Sequence, residues 1–354
     1  MSFAVTWPAV VYALVFALHL VLPARHVEGY VRDAGGKPLR YRLNGLLVFL
    51  ATVGAWALVC RAGWLEWDAF FVHRWELAAG ACVLGLLFTL FVVLRAPRVP
   101  GWSFGKELYL GRAEQPQWLD ARVDAKMFLY LIGAVMLELN LLSFGAHHLK
   151  VQAAAPSPGV YLYLALFSFF LVEYLFFERV HLYTYDFVAE RVGFKLGWGC
   201  FVFYPFFYAV GLWTTAELPD PRWPAWAYAL IAVMFFGGWA LARGANLQKY
   251  WFKRDPTKKH FGISPEALDG RVLVNGFWGL SRHINYLGEL LMSSALALSL
   301  GHPGVVGPWL YPLYYLALLV PRQLDDDRRC AQKYGALWDT YRARVRWRII
   351  PFIY

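Results

Sequence analysis

Apolar residues in this chain fall into long unbroken runs rather than an alternating pattern. The runs cover 7–23, 43–60, 77–95, 127–146, 160–177, 196–214, 225–242, 283–300 and 304–320. Most are about 17–20 residues long, close to the roughly 20 needed to cross a hydrocarbon layer about 30 Å thick. No water is available at that depth to satisfy backbone groups, so only helices or closed barrels cross it. Runs without strict alternation predict helices. The expected fold is therefore all-α, a polytopic transmembrane bundle of about nine to ten spans. The run 283–300 is the least apolar. It opens with His283, Ile284, Asn285 and Tyr286 and carries Glu289. Polar groups entering a membrane helix are costly and usually face protein or a water-filled cavity. This predicts a polar pocket cut into one side of the C-terminal half.

Composition supports the same class. Hydrophobic residues make up 59% of the 354 and charged residues 16%, against about 45–50% and about 25% in soluble domains. No linker divides the chain, so it is expected to form one integral membrane domain over 1–354. Residues 1–240 would be mainly lipid-embedded helices on the substrate side, and 241–354 would form a ligand-binding part. Net charge is +10, which taken alone would suit nucleic acid. Its placement argues otherwise. With Arg95 counted in the connection it borders, the first, third, fifth and seventh connections and the C-terminal segment hold 30 of the 34 Lys and Arg. That asymmetry is the positive-inside signature. It predicts an outside N-terminus, a cytosolic C-terminus and a multi-pass protein of a bacterial inner membrane or endoplasmic reticulum, in contact with membrane lipids and not with nucleic acid. The seventeen Trp residues suit interfacial belts. Cys60, Cys82, Cys200 and Cys330 show neither CxxC nor His pairing at metal spacing, so no metal site is expected. The first run lacks a basic flank and a small-residue cleavage site, and is expected to be retained.

Three polar–aromatic stretches could carry chemistry. The first is Asn246-Leu-Gln-Lys-Tyr-Trp-Phe-Lys-Arg-Asp-Pro256. Lys249 and Lys253 are four residues apart and share a helix face, an arrangement that suits a phosphate or pyrophosphate, with Arg254 following. The bland alternative is a juxtamembrane basic cluster touching anionic lipid. The second is Leu273-Val-Asn-Gly-Phe-Trp-Gly-Leu-Ser-Arg-His-Ile-Asn-Tyr-Leu-Gly-Glu289. Gly276 and Gly279 bracket two aromatics, so backbone and rings could approach a flat ligand. Arg282, His283, Asn285 and Tyr286 offer donors beside them, and there is no GxGxxG fingerprint. The third runs from Asp325-Asp-Asp-Arg-Arg-Cys-Ala-Gln-Lys-Tyr-Gly335 to Trp338, Tyr341 and the end at Tyr354. Helical spacing would align Asp326, Arg329 or Cys330, Lys333 or Tyr334, Leu337 and Tyr341 on one face. This segment is too rich in Trp, Tyr and Ile to be a disordered tail.

Together these stretches resemble the sterol C14/C7 reductase family, which includes the reductase domain of the lamin B receptor. The family's Asn-x-Gln-Lys…basic-basic stretch is followed by Gly-Trp/Phe-Trp-Gly-x-x-Arg-His-x-Asn-Tyr-x-Gly-Asp. Then come Asp-x-x-x-Cys-x-x-Lys-Tyr-Gly-x-x-Trp-x-x-Tyr and a Tyr-Arg-Ile-Ile-Pro-x-Ile-Tyr end. The chain matches nearly every position in order. Weaker matches lie at Tyr109-Leu-Gly-Arg-Ala-Glu114, Asp124-Ala-Lys126, Glu178-Arg-Val-His-Leu-Tyr-Thr-Tyr-Asp186 and Gly193-Phe194, so the resemblance spans roughly 105–354. Three departures stand out. The family's Gly-Asp is Gly288-Glu289, Trp347 replaces a Tyr, and Phe170-Leu-Val-Glu173 replaces Tyr-x-x-Asp.

The resemblance implies NADPH-dependent saturation of a carbon–carbon double bond in a sterol or related polycyclic lipid. Carried over position by position, the cofactor shell would be Lys249, Lys253, Leu273, Trp278, Asn285, Tyr286, Asp326, Cys330, Lys333, Tyr334 and Tyr341. Hydride reduction of an isolated alkene also needs an acid to protonate the other carbon. The candidates are Asp326, Glu173, Tyr174 and Tyr208. One rival class shares Arg-His-x-x-Tyr-x-Gly: membrane methyltransferases using S-adenosylmethionine, such as isoprenylcysteine carboxyl methyltransferase. Asn246-x-Gln-Lys249 and Cys330-x-x-Lys-Tyr334 favour the reductase. A non-catalytic sterol-binding protein would have lost cofactor positions, and none is lost outright.

Overall fold

A computed structural model describes residues 3–354 and resolves them into two compact units, Met1–Asp220 and Pro221–Tyr354. In the first, the apolar runs fold as helices α1 (Trp7–Val21), α2 (Gly45–Arg61), α3 (Arg74–Arg95), α4 (Ala125–Val151) and α5 (Pro158–Phe176). Helix α4 is the core of this unit. Its buried residues run from Ala125 to His148 on every side of the helix, and α1, α2, α5 and the segment Gly199–Phe207 pack around it. Its start is fixed locally: the Asp124 side chain accepts from the backbone N–H groups of Lys126 and Met127 at 3.1 and 3.0 Å, satisfying two first-turn donors. Helix α5 starts in the same way, with Ser157 accepting from Gly159 and Pro158 in its first turn.

The run 196–214, expected as one regular helix, is not one. Pro205 sits inside it and has no N–H to give. Gly199–Phe207 widens to i→i+5 bonding, with Tyr208 N–H donating to the Phe203 carbonyl at 3.1 Å, and a short α-turn, Val210–Thr215, follows. Side chains supplement the altered ladder: Tyr12 Oη donates to the Phe201 carbonyl and Asn140 Nδ2 to the Pro205 carbonyl.

The second unit contains α6 (Ala225–Arg254), α7 (Ile284–Ser299), α8 (Val306–Tyr334) and α9 (Ala336–Arg344). Helices α6 and α7 cross where both lack side chains. A Cβ on Gly238 would stand 2.7 Å from the Gly288 carbonyl, and one on Gly288 would strike the Gly238 carbonyl. Five helices among the described residues are long and apolar enough to cross a membrane: Phe3–Val21, Arg74–Arg95, Ala125–Val151, Pro158–Phe176 and Ala225–Arg254, with Gly45–Arg61 apolar but shorter. The protein is thus mostly helical.

An all-α reading omits three antiparallel hairpins in the connections. They are β1–β2 (Arg25–Arg32 with Pro38–Leu43), β3–β4 (Gln117–Trp118 with Val123–Asp124) and β5–β6 (Ala267–Leu268 with Val272–Leu273). The first turn is made by Asp33, whose Oδ1 accepts from the N–H groups of Gly35 and Lys37 at 2.9 Å each. This is the self-capping that favours Asp in turns.

Candidate functional site

The second unit gathers the three polar–aromatic stretches. Helix α6 supplies its last turns. Gln248, only 3% exposed, bonds the loop ahead of α7 from both ends of its amide: Oε1 accepts from Phe277 N–H at 2.9 Å, and Nε2 donates to the Asn275 carbonyl at 3.2 Å. Between those two residues Gly276 adopts φ 62°, and any Cβ there would run into Gln248 Nε2. The loop therefore needs glycine at this point. Gly244 plays the matching part on α6, where a Cβ would collide with the Phe277 ring. So held, Trp278 donates from Nε1 to the Ala245 carbonyl at 2.9 Å, and Lys249 Nζ stands 5.5 Å from the indole centroid. Tyr341 of α9 donates to the Trp278 carbonyl at 3.0 Å. Lys249, Trp278 and Tyr341 thus form one connected group.

A second group lies beside it. Lys253 Nζ reaches the Arg271 carbonyl at 3.4 Å. The Arg271 guanidinium and the Lys333 ammonium both lie near the Tyr334 ring, at 5.3 and 5.2 Å. The fields of Lys249, Lys333 and Arg271 all act on Lys253. Three cations thus stand near two aromatic rings and Lys253 lies in the field of all three, an arrangement that suits a polyanion carrying a flat ring. Val272, Val274, Trp338, Tyr341 and Val345 form the apolar floor, with Cys330 and Tyr334 packed against it. Leu273 is buried in β6 of the adjoining hairpin. Burial pushes the Cys330 thiol up to about 12, with Asp326 adding to the shift, and raises the Tyr341 phenol as well.

Asp326 faces His283, with 4.0 Å between Oδ2 and Nδ1. Burial raises its carboxyl above the usual range, and Lys249 works in the opposite direction. His283 is 4% exposed and stacks on Tyr286 at 5.0 Å and 17°. Asn285 follows it in the first turn of α7.

The neighbouring acid has a different task. Asp327 Oδ1 accepts from Arg282 Nη1 at 2.9 Å and from Trp338 Nε1 at 3.0 Å, and Arg342 lies 3.7 Å from its other oxygen. Arg282 is therefore a brace between the start of α7, α8 and α9. The backbone closes the same corner: Arg282 and His283 N–H donate to the carbonyls of Trp347 and Arg348, and Ser281 Oγ donates to that of Ile349.

All eleven expected shell residues lie in this unit, but not on one continuous face. Gly335 at φ 56° ends α8, so Leu337 and Tyr341 return on α9. Gln248, Asp327 and Arg271 carry structural weight that the sequence reading did not assign. Of the expected acids, Glu173, Tyr174 and Tyr208 belong to the first unit. Glu173 is buried near the end of α5. Tyr174 stacks on His181 at 3.8 Å, and the Tyr208 carbonyl accepts from Tyr163 Oη at 3.4 Å. No cluster of three or more metal-ligating side chains occurs among the described residues.

Comparison with known proteins agrees with the motifs. Residues 2–354 match the ergosterol biosynthesis ERG4/ERG24 family. The chain is 31% identical to a Delta(14)-sterol reductase of Arabidopsis thaliana over 94% of its length and 91% of the relative's. It is 30% identical to a Delta(14)-sterol reductase of Methylotuvimicrobium alcaliphilum, covering 99% and 84%, and 32% identical to the Delta(14)-sterol reductase TM7SF2 of Mus musculus, covering 96% and 82%.

Proposed function

Because the chain belongs to the ergosterol biosynthesis ERG4/ERG24 family, we propose that it is an integral membrane oxidoreductase that saturates a carbon–carbon double bond in a sterol, the Δ14 bond being the one its relatives' names specify. We further propose NADPH as the reductant and residues 241–354 as the part that holds it. The observation that carries this reading is the cluster of Lys249, Arg271 and Lys333 near the Trp278 and Tyr334 rings, with Lys253 in the field of all three. Those residues fit the group: several cations suit a pyrophosphate and a 2′-phosphate together, and indole and phenol faces suit flat rings. Family membership sets the methyltransferase alternative aside.

The bound nicotinamide would supply a hydride. Everything else falls to the chain's own side chains. Lys249 and Lys253 neutralise phosphate charge, and Lys333 and Arg271 extend the same field. Trp278 is fixed at both its ring and its carbonyl, so it offers a rigid face. Asn285, Tyr286 and Tyr341 line the site with an amide and two phenols, Leu273 and Cys330 with apolar surface. An isolated alkene accepts hydride only as a proton reaches its other carbon. Asp326 is our candidate to hold or relay that proton. Burial raises its carboxyl, the direction that suits a general acid. Glu173, Tyr174 and Tyr208 are the alternative acids. The charge asymmetry supports an odd number of spans, nine by the apolar runs, with both basic segments, 243–282 and 321–354, in the cytosol.

The test is a thermal-shift titration of purified protein with NADPH, NADH and S-adenosylmethionine. NADPH should stabilise most and S-adenosylmethionine not at all. Lys249→Glu should weaken NADPH at least tenfold, about 1.4 kcal/mol, and NADH less. Equal NADPH affinity in the variant would remove Lys249 from the site.

A further inference from the structure

Helices α4 and α5 of the first unit pack antiparallel. Tyr130 and Tyr174 pair at one end, with ring centroids 5.9 Å apart. At the other end, Gly145 admits Leu164, whose Cδ1 lies 2.5 Å from where a Cβ would be. Between these contacts, at the midpoint of Ala125–Val151, stands Glu138. It is 5% exposed. Ser168 Oγ of α5 donates to its Oε1 at 2.8 Å, and its Oε2 is buried with no partner. Nearby on α4, Asn140 donates from Nδ2 to the Pro205 carbonyl while its Oδ1 is also without a partner, and Ser143 accepts from Phe70 N–H at 3.0 Å.

An ionisable side chain at mid-span is costly and is conventionally read as functional. An ionised carboxylate there would be prohibitive, so the group is a neutral acid. A neutral acid has one O–H to donate. Ser168 donates to the acid and gives that O–H nothing to bond. What the pair lacks is a small group able to accept one hydrogen bond inside apolar walls.

We propose that Glu138 and Ser168 form a buried anchor for the hydroxyl group of the lipid substrate. The inference rests on the sterol reading above. A sterol is a rigid hydrocarbon bearing one hydroxyl, and that hydroxyl is the part of the molecule for which an apolar pocket has no partner. Its oxygen accepts the Glu138 O–H. The anchor also orients the molecule, because the hydroxyl sits on the terminal ring far from the Δ14 bond. Glu138 therefore has a binding role, distinct from that of the acid that protonates the alkene.

The experiment compares the affinities of a Δ14-unsaturated sterol and its 3-deoxy counterpart for the full chain in detergent, read by quenching of tryptophan fluorescence. Wild type should prefer the hydroxyl-bearing sterol by roughly tenfold, the scale of one hydrogen bond in a dry site. Glu138→Leu should erase that preference by weakening only the hydroxyl-bearing ligand. Glu138→Gln, whose amide still donates, should keep part of it. Ser168→Ala gives a second, gentler variant, expected to lose a few-fold. Thermal unfolding of each variant separates lost binding from lost fold. The anchor is overturned if Glu138→Leu retains the preference, or if wild type binds the two ligands equally. It is also overturned if Glu138→Gln abolishes reduction of both sterols while binding them normally, which would make Glu138 the proton donor. A wild type that binds neither sterol overturns the reductase reading itself.

Discussion

Replacing Asp327 by Asn tests the corner that holds α7, α8 and α9 together. The Arg282 side chain is 6% exposed and that of Asp327 14%. Removing one partner of a buried pair leaves an uncompensated charge and costs about 3–5 kcal/mol. Asparagine keeps one acceptor, which Arg282 or Trp338 can use, so the expected loss lies nearer ~2–3 kcal/mol. Arg342 provides an internal control. It touches the same carboxylate, but at 3.7 Å and with 44% of its side chain exposed. Its truncation to Ala should cost no more than ~0.5–1 kcal/mol. Thermal denaturation in mild detergent, with the double variant Arg282→Gln/Asp327→Asn, completes the cycle. The two single losses should fail to add by at least ~1.5 kcal/mol, as expected for contacting residues. Equal losses for Asp327→Asn and Arg342→Ala, or strict additivity, would refute the brace.

Three further outcomes follow from geometry and charge. Gly276→Ala forces a side chain onto a left-handed backbone and into Gln248, so it should destabilise by about 1–3 kcal/mol and weaken NADPH in the same titration. Glu178, just past the end of α5, binds the Gly45 N–H with both oxygens at 3.0 and 3.2 Å. Burial raises its carboxyl from 4.5 to about 7, so its contribution is full below 4.5 and is lost as pH rises through 7. About 2.5 pH units correspond to at most ~3 kcal/mol. Glu178→Gln should flatten the pH–stability curve in that window, and an unchanged curve would contradict the shift. The Cys330 thiol, at about 12, should resist iodoacetamide at pH 8 far better than a free thiol near 8.5; mass spectrometry of the labelled peptide decides.

Helices were legible in the sequence wherever long apolar runs left the backbone no other way to satisfy itself. The run 196–214 looked the same by composition, yet Pro205 converts its core into a wide i→i+5 turn, an effect hydropathy does not register. Strands such as Val272–Leu273 are two residues long and carry no period to detect. The shell residues came from a family pattern. Their grouping depends on contacts that spacing cannot supply. Asp325, Asp326 and Asp327 are consecutive acids, and only helical phase decides that Asp327 meets Arg282 while Asp326 meets His283. Gln248 stood inside the recognised motif, but its part in holding Gly276 depends on a positive φ that no residue pattern discloses.

Helix α6 has one consequence of a mechanical kind. Its 30 residues measure about 45 Å at 1.5 Å per residue, well beyond a hydrocarbon layer of about 30 Å. The surplus is the stretch that carries Gln248, Lys249 and Lys253. These residues therefore ride on a lever whose other arm is embedded in lipid, with the Gly238–Gly288 crossing as the fulcrum. A tilt of that arm, such as a thinner bilayer imposes, swings the cations through an arc. Bilayer thickness would thereby bear on where Lys249 and Lys253 stand.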